Sequence, residues 1–196
     1  MAEIRTVAVI GAGLAGRGMA QALVLAGYRT ILEDILPASL RKADAGIRAG
    51  LEQALDLGCV NQQEAEAATA RLVYASTIEE AARQADLVIE ALPDELESKL
   101  EIFTLLDKIC KPGTMLACTT STLSITEIAS ITCRRQKCIG IRLAHSEGKM
   151  PCLEIVRSQE TDAETVAACE DLARKVGSCL AANLRRRGAG GTAPHE

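Results

Sequence analysis

A glycine-rich turn near the start of the chain places the strongest constraint on its fold. Residues 9–16 read Val-Ile-Gly-Ala-Gly-Leu-Ala-Gly, follow a short apolar run and open an Ala- and Leu-rich helical pattern at Leu14. In such a strand–turn–helix unit Gly11 permits the sharp turn, Gly13 leaves room for a pyrophosphate, and Gly16 lets the helix pack closely. The free N–H groups of the helix start would bind the phosphates. The alternative interpretation is a glycine-rich turn without a ligand.

An acidic residue at the end of the next strand indicates which nucleotide fits. Asp34 follows Gly16 by 18 residues, close to the spacing of an acid that accepts hydrogen bonds from the adenosine ribose. A carboxylate there repels a 2′-phosphate and no arginine follows it directly, so NAD is favoured over NADP. Glu33 is the competing acid, but adjacent strand residues point to opposite faces, so only one of the two can act. Asp34 could instead cap the following helix.

Alternating strand and helix patterns predict an α/β fold with a mostly parallel sheet. We expect a domain over residues 1–182 and a disordered, Gly- and Arg-rich tail over 183–196, unless Arg185–Arg187 grips a phosphate or a partner. Capping boxes are predicted at Thr77 and at Thr161, the second opening a helix that ends near Gly177. The predicted strands are 6–10, 29–33, 72–74, 87–90, 115–118, 137–142 and 153–156, and the predicted helices are 14–26, 37–57, 62–70, 77–85, 96–109, 125–131 and 161–177.

Composition excludes several classes of protein. The net charge of −4 argues against nucleic acid as a partner. Because no apolar run approaches about 18 residues, and no basic segment precedes an apolar one at the start, neither a membrane span nor a signal peptide is expected. The eight cysteines lack a CxxC pair, so reduced thiols in a cytoplasmic protein are expected and no metal site. With one Phe and two Tyr the core must be aliphatic, and Cys118 is interpreted as a core residue.

Several stretches in order resemble the NAD-binding domain of the L-3-hydroxyacyl-CoA dehydrogenases, over about residues 5–177. They are residues 10–18 with 20–21, 27–34, 86–91, 99 with 101 and 103, 120–123, and 150–156. Members of that family oxidise an L-3-hydroxyacyl-CoA to the 3-ketoacyl-CoA in fatty-acid metabolism and pass the hydride to NAD. The resemblance implies a Rossmann-type doubly wound sheet, and we expect the fold without the family's helical C-terminal domain, which supplies most of the dimer interface.

The resemblance also assigns site residues. Ser121 matches a serine that bonds the substrate oxygen near the nicotinamide, and Asp94 stands where the family usually has Glu. The implied cofactor-binding positions are Gly11, Gly13, Leu14, Gly16, Asp34, Glu90, Ala91, Asp94, Lys99 and Ser121.

The catalytic base of the family does not carry over. Glu154 matches the glutamate that orients the catalytic histidine, but the histidine position itself falls on Arg142. Arginine stays protonated at neutral pH and cannot act as the base, although it could pair with Glu154 or hold a ketone oxygen. His145, three residues on, is the substitute base if the loop is rearranged, or else a surface histidine in a polar turn.

Three functions follow from these residues. The first is an NAD-dependent 3-hydroxyacyl-CoA dehydrogenase, active or ancestrally so, in which Ser121 holds the oxygen of an acyl-CoA substrate, Glu154 orients, and the base is supplied by His145 or lost. The second is a catalytically silent NAD-binding module or half of a split dehydrogenase, with a homodimer or a separate helical-domain chain as partner. The third is a related dehydrogenase of another small hydroxy acid, whose carboxylate Arg142 would bind bidentately.

Overall fold

Strands and helices alternate in the computed structural model, which describes residues 3–144 and 152–189. The strands are β1 (Thr6–Ile10), β2 (Arg29–Glu33), β3 (Leu72–Ala75), β4 (Leu87–Glu90), β5 (Met115–Cys118), β6 (Cys138–Ala144) and β7 (Cys152–Arg157). The helices are α1 (Leu14–Leu25), α2 (Pro37–Asp56), α3 (Gln62–Ala70), α4 (Ile78–Ala82), α5 (Leu96–Ile109), α6 (Ile125–Ser130) and α7 (Ala163–Ala189). Within these described ranges, no helix is both long enough and apolar enough to pass through a bilayer.

The strands form one sheet in the order β3-β2-β1-β4-β5-β6-β7. Neighbours from β3 to β6 are parallel, and β7 runs antiparallel to β6. This doubly wound order confirms the predicted Rossmann-type fold. The chain reverses its direction of travel across the sheet between β1 and β4, where ligands bind beyond the carboxyl ends of the strands. Ile10 pairs with Glu33 on one side and with Glu90 on the other, so three strand ends meet there.

An aliphatic core covers both faces of the sheet, as the composition predicts. Alternate residues of β1 face opposite sides of the sheet. Val7 and Val9 pack in the core layer formed with α1, α2 and α7. Ala8 and Ile10 pack in the layer formed with α4, α5 and α6. Burial on both faces explains why the central strands read as unbroken apolar runs.

The last helix corrects two predictions. We expected it to end near Gly177 and a disordered tail to begin at residue 183, but α7 continues to Ala189. A glycine ends a helix by adopting a left-handed conformation, and among the described residues only Gly11, Gly27 and Gly58 have positive φ. The Ala, Leu and Arg residues after Gly177 favour helix and carry it on. Residues 190–196 of the predicted tail lie outside the described residues.

Helix caps account for a further correction. The Thr77 and Ser124 hydroxyls accept from the N–H groups of Glu80 and Glu127, both at 3.3 Å. The capping box predicted at Thr77 is only half formed, because the Glu80 carboxylate accepts from the Ser76 N–H at 3.4 Å rather than from that of Thr77. The cap of α7 is Asp162 rather than Thr161, since its Oδ1 accepts from the Thr165 N–H at 2.7 Å. The Thr161 hydroxyl instead donates to the Cys138 carbonyl at 2.8 Å and ties the start of α7 to β6.

Candidate nucleotide site and catalytic cleft

The glycine turn brings the start of α1 against the end of β1. Gly11 has a φ of +99° and its N–H donates to the Glu33 carbonyl at 2.9 Å. A Cβ placed on Gly16 would overlap the Gly11 carbonyl oxygen, so only glycine lets the helix approach the turn this closely. A Cβ on Gly13 would meet none of the described atoms within 4 Å. Leu14 and Ala15, the first two residues of α1, line a pocket, and the helix dipole favours an anion at this end of the helix.

Asp34 follows the last residue of β2 and reaches back to the glycine turn. Its Oδ2 accepts from the Ala12 N–H at 3.0 Å, and its Oδ1 accepts from the Leu36 N–H at 2.9 Å. The carboxylate thus lies beside the glycine turn and also bonds the residue that precedes α2, and its binding of a ribose stays a prediction. Because Asp34 lies beyond the end of β2, its side chain does not follow the alternation of faces that applies to residues within the strand.

A pocket of about 450 Å³ opens beside Asp34, which we call the acidic pocket. Three carboxyl groups line it, those of Glu33, Asp34 and Glu79, together with apolar walls from Ile35, Ile78, Leu92 and Ile102. Sequence reasoning treats Glu33 only as a competitor of Asp34, whereas the structure gives both acids a place in one pocket.

A second and larger space, the serine cleft, lies on the other side of Leu92. It measures about 740 Å³, and its lining includes Leu14, Met19, Leu92, Asp94, Ser121 and Arg142. Leu14 is 81% exposed and faces this cleft, and Ile35 is 79% exposed at the acidic pocket. Large exposed apolar side chains at both openings are typical of a site for a ligand with flat apolar parts.

Two predicted cofactor residues turn out to lie beneath the site rather than on it. Lys99 of α5 and Glu90 of β4 have fully buried side chains, and the Lys99 Nζ lies 2.7 and 2.9 Å from the two carboxylate oxygens. The same Nζ donates to the carbonyl of Thr119 at 3.1 Å, and Glu90 accepts from the Leu92 N–H at 2.7 Å. This geometry corrects the expected direct contact: the pair positions the strand ends that border both pockets.

Ala91 also lies under the turn, where its N–H donates to the Ile10 carbonyl at 2.8 Å. Its own carbonyl sits against Gly11, 3.0 Å from where a Cβ would be. The backbone after β4 thus supports the glycine turn from below.

Asp94 orders the loop that carries Ser121. Its Oδ2 accepts from the Ser121 N–H at 3.3 Å, from the Ser121 hydroxyl at 3.4 Å and from the Thr122 hydroxyl at 3.2 Å. Partial burial opposes ionisation, but hydrogen bonds led by that of Thr120 lower the pKa of Asp94. An ionised Asp94 therefore fixes the Ser121 hydroxyl at the wall of the serine cleft.

Arg142 and Glu154 occupy directly opposed positions on β6 and β7. The guanidinium holds the Glu154 Oε2 with Nε and with a terminal nitrogen, each at 2.6 Å. Both side chains are nearly half exposed, at 46% and 43%, and Arg142 lines the serine cleft. The structure thus brings Ser121 and Arg142 to one cleft, with Glu154 bound to the arginine. His145 lies outside the described residues.

These features fit a dinucleotide. Open space over the N-terminus of α1 suits a diphosphate, Asp34 suits a ribose diol, and the two pockets on either side of Leu92 suit the two bases. The fold and the site together define an NAD-binding domain of a Rossmann-type oxidoreductase.

Comparison with known proteins defines the family. The family described as "3-hydroxyacyl-CoA dehydrogenase, NAD binding domain" matches residues 6–180. This chain belongs to that family, and its cofactor is NAD.

Individual relatives agree with this membership. The chain is 35% identical, over 89% of its length, to the "probable 3-hydroxybutyryl-CoA dehydrogenase" of Bacillus subtilis strain 168, of which it covers 61%. It is 33% identical over 174 residues to a peroxisomal fatty acid beta-oxidation multifunctional protein of Arabidopsis thaliana, covering 24% of that protein. The crystal structure of (S)-3-hydroxybutyryl-CoA dehydrogenase from Ralstonia eutropha superposes with a TM-score of 0.83 at 30% identity, over 89% of this chain and 62% of that one. The chain therefore spans about three fifths of such single-function relatives.

Proposed function

We propose that this chain is the NAD-binding half of a 3-hydroxyacyl-CoA dehydrogenase and that it binds NAD without oxidising a 3-hydroxyacyl-CoA by itself. The observation that carries the proposal is the Arg142–Glu154 ion pair at the position where the family places its histidine base. As implied by the resemblance, the substrate of the complete enzyme is an acyl-CoA of fatty-acid metabolism. A second copy of the chain or a helical domain would complete the site, in the cytoplasm.

The chemistry of alcohol oxidation explains why we expect no dehydrogenase activity from the chain by itself. When hydride leaves the carbinol carbon for NAD, the hydroxyl proton must pass to a base, and imidazole with a pKa near 6.5 is suited to accept it. A guanidinium remains protonated throughout the ordinary pH range, so Arg142 has no free electron pair to offer. Glu154, which would orient a histidine, is instead held by the guanidinium. Ser121 can still bond the substrate oxygen, which positions the substrate but removes no proton.

The serine cleft supports a second candidate function. Arg142 presents its guanidinium to the same cleft as Ser121, and the arginine fork suits a carboxylate. In this case the substrate would be a small hydroxy acid rather than a CoA ester.

A binding and turnover experiment separates these functions. Calorimetry should show NAD binding by the purified chain, while NADH formation from (S)-3-hydroxybutyryl-CoA should stay at background. The Arg142→His variant restores an imidazole opposite Glu154 and should raise turnover by about 100-fold. Arg157→His is the matched control, because Arg157 is an exposed arginine on the same hairpin outside the cleft.

Two results would contradict the proposal. Turnover by the unaltered chain that disappears in His145→Ala would make His145 the base. Turnover of a small hydroxy acid, lost in Arg142→Ala, would favour the second candidate function instead.

A further inference from the structure

Glu33 is a largely buried residue whose carboxyl group has no bonded partner among the described residues. Its side chain lines the acidic pocket while the residue as a whole is only 4% exposed. Its backbone carbonyl accepts a hydrogen bond from the Gly11 N–H, but no hydrogen bond or ion pair to its carboxyl is found in residues 3–144 and 152–189. Among the described residues Thr165 Oγ1 is the only buried side-chain polar atom that lacks a partner, so the Glu33 carboxyl oxygens reach the open space of the pocket, where a ligand can bond them.

The groups that face Glu33 explain its state of ionisation. Asp34 from the end of β2 and Glu79 from α4 are the charged groups around the pocket, and none of the described lysines or arginines lines it. The loop before α4 adds the uncharged Ser76 and Thr77. Burial in the first place, and then the charges of Asp34 and Glu79, raise the pKa of Glu33 to about 7. Near neutral pH much of this carboxyl is therefore protonated.

We propose that Glu33 recognises the adenine base of the bound NAD by hydrogen bonds to the edge that carries its amino group. The inference rests on NAD binding to the acidic pocket through its adenosine half. Asp34, at the glycine turn, is placed for the ribose. Of the other polar residues that line the pocket, Ser76, Thr77 and Glu79 are exposed, whereas Glu33 is deeply buried beside the apolar walls. The apolar walls of Ile35, Ile78, Leu92 and Ile102 suit the flat faces of a purine.

A protonated carboxyl matches that edge of adenine. It offers one O–H donor and one carbonyl acceptor, the same pair as the side-chain amides that bond adenine bidentately through its amino group and a ring nitrogen. An ionised Glu33 could only accept, and it would oppose the lone pair of the ring nitrogen. NAD affinity should therefore fall as the pH rises through about 7.

The test measures affinity rather than activity. Calorimetric titrations of the full chain compare NAD with nicotinamide hypoxanthine dinucleotide, in which a carbonyl replaces the adenine amino group. The unaltered chain should prefer NAD by about tenfold, the equivalent of one good hydrogen bond. Glu33→Gln keeps a donor and an acceptor, so it should keep the preference and lose the pH dependence. Glu33→Leu should bind both dinucleotides alike, while Glu52→Gln, an exposed acid on α2, should behave as the unaltered chain.

The possible failures are distinguishable. Equal affinities for both dinucleotides in the unaltered chain, or an undiminished preference in Glu33→Leu, would overturn the role of Glu33 while leaving NAD binding intact. Should Glu33→Leu fail to fold, a pH profile of Glu33→Gln identical to that of the unaltered chain would also overturn it. Absence of NAD binding by both the unaltered chain and Glu52→Gln would refute the nucleotide site itself.

Discussion

Lys99 carries its ammonium group at a point that water does not reach. Its partners are the Glu90 carboxylate, the Thr119 carbonyl at 3.1 Å and, more distantly, the Leu92 carbonyl at 3.4 Å. Glu90 in turn also accepts from the Cys118 thiol at 3.3 Å. A buried ion pair is tolerable only when such additional bonds satisfy both charges. The residues that line both pockets are thus held by one fully satisfied polar cluster.

Removing the lysine alone should be strongly destabilising. We expect Lys99→Met to lower the free energy of unfolding by about 3–5 kcal/mol, because Glu90 would remain buried without compensation. Lys111→Met is the matched control: its ion pair with Asp86 at 2.7 Å is much more exposed, so a loss below about 1 kcal/mol is expected. Urea unfolding followed by circular dichroism measures both. A loss in Lys99→Met no larger than in the control would contradict the structural role of the buried pair.

Two glycines of the turn between β1 and α1 have different roles: Gly16 allows the close packing of the turn, and Gly13 leaves space for a ligand. A Cβ on Gly16 would strike the Gly11 carbonyl, whereas one on Gly13 would enter space that is open among the described atoms. Gly16→Ala should therefore cost about 1–3 kcal/mol of stability through overpacking and should weaken NAD binding as the turn shifts.

Gly13→Ala should separate the two effects. We expect its unfolding free energy to change by less than about 1 kcal/mol, while NAD affinity falls because the methyl group occupies the space left for the diphosphate. Thermal unfolding and calorimetry on the same samples test this pair of variants. Unchanged NAD affinity in Gly13→Ala would show that the diphosphate binds elsewhere.

Most elements of the sheet could be predicted from sequence because their burial leaves little freedom. The bounds predicted for β1, β2, β4 and β5 match the structure, since strands buried on both faces read as short apolar runs. A glycine follows β1, acidic residues end β2 and β4, and threonines follow β5. The cap of α7 could not be predicted in this way. The choice between Thr161 and Asp162 is decided by the Cys138 carbonyl, which only the folded sheet brings near.

In the candidate site, too, the features set by local sequence could be predicted and those set by distant contacts could not. The glycine turn and Asp34 follow from local spacing, and the pairing of Arg142 with Glu154 follows once a hairpin register is assumed. The burial of Lys99 and the pocket position of Glu33 depend on contacts between elements distant in sequence. Sequence periodicity carries no information on such partners, so neither the burial of Lys99 nor the pocket position of Glu33 could be predicted from the sequence.

On the scale of the whole molecule, two sets of acids act on stability with opposite sign. Partial burial opposes ionisation of Asp86, Asp107 and Asp162, but hydrogen bonds and nearby cations outweigh it and lower their pKa values. Their contribution is present above the ordinary aspartate pKa and is lost as the pH falls through the lowered value. Glu33 behaves in the opposite way, because burial and two neighbouring carboxylates raise its pKa.

The stability of the chain without NAD should therefore pass through a maximum on the acidic side of neutrality. Between the ordinary pKa of 4.5 and the folded value of about 7 for Glu33, the native state binds more protons than the unfolded state, so the unfolding free energy falls as the pH rises. The fall should amount to roughly 3 kcal/mol at most. In Glu33→Gln it should disappear, while Glu52→Gln should retain it, and urea unfolding at a series of pH values would record the difference. Parallel profiles for the unaltered chain and Glu33→Gln would mean that Glu33 is ionised in the native pocket at pH values well below 7.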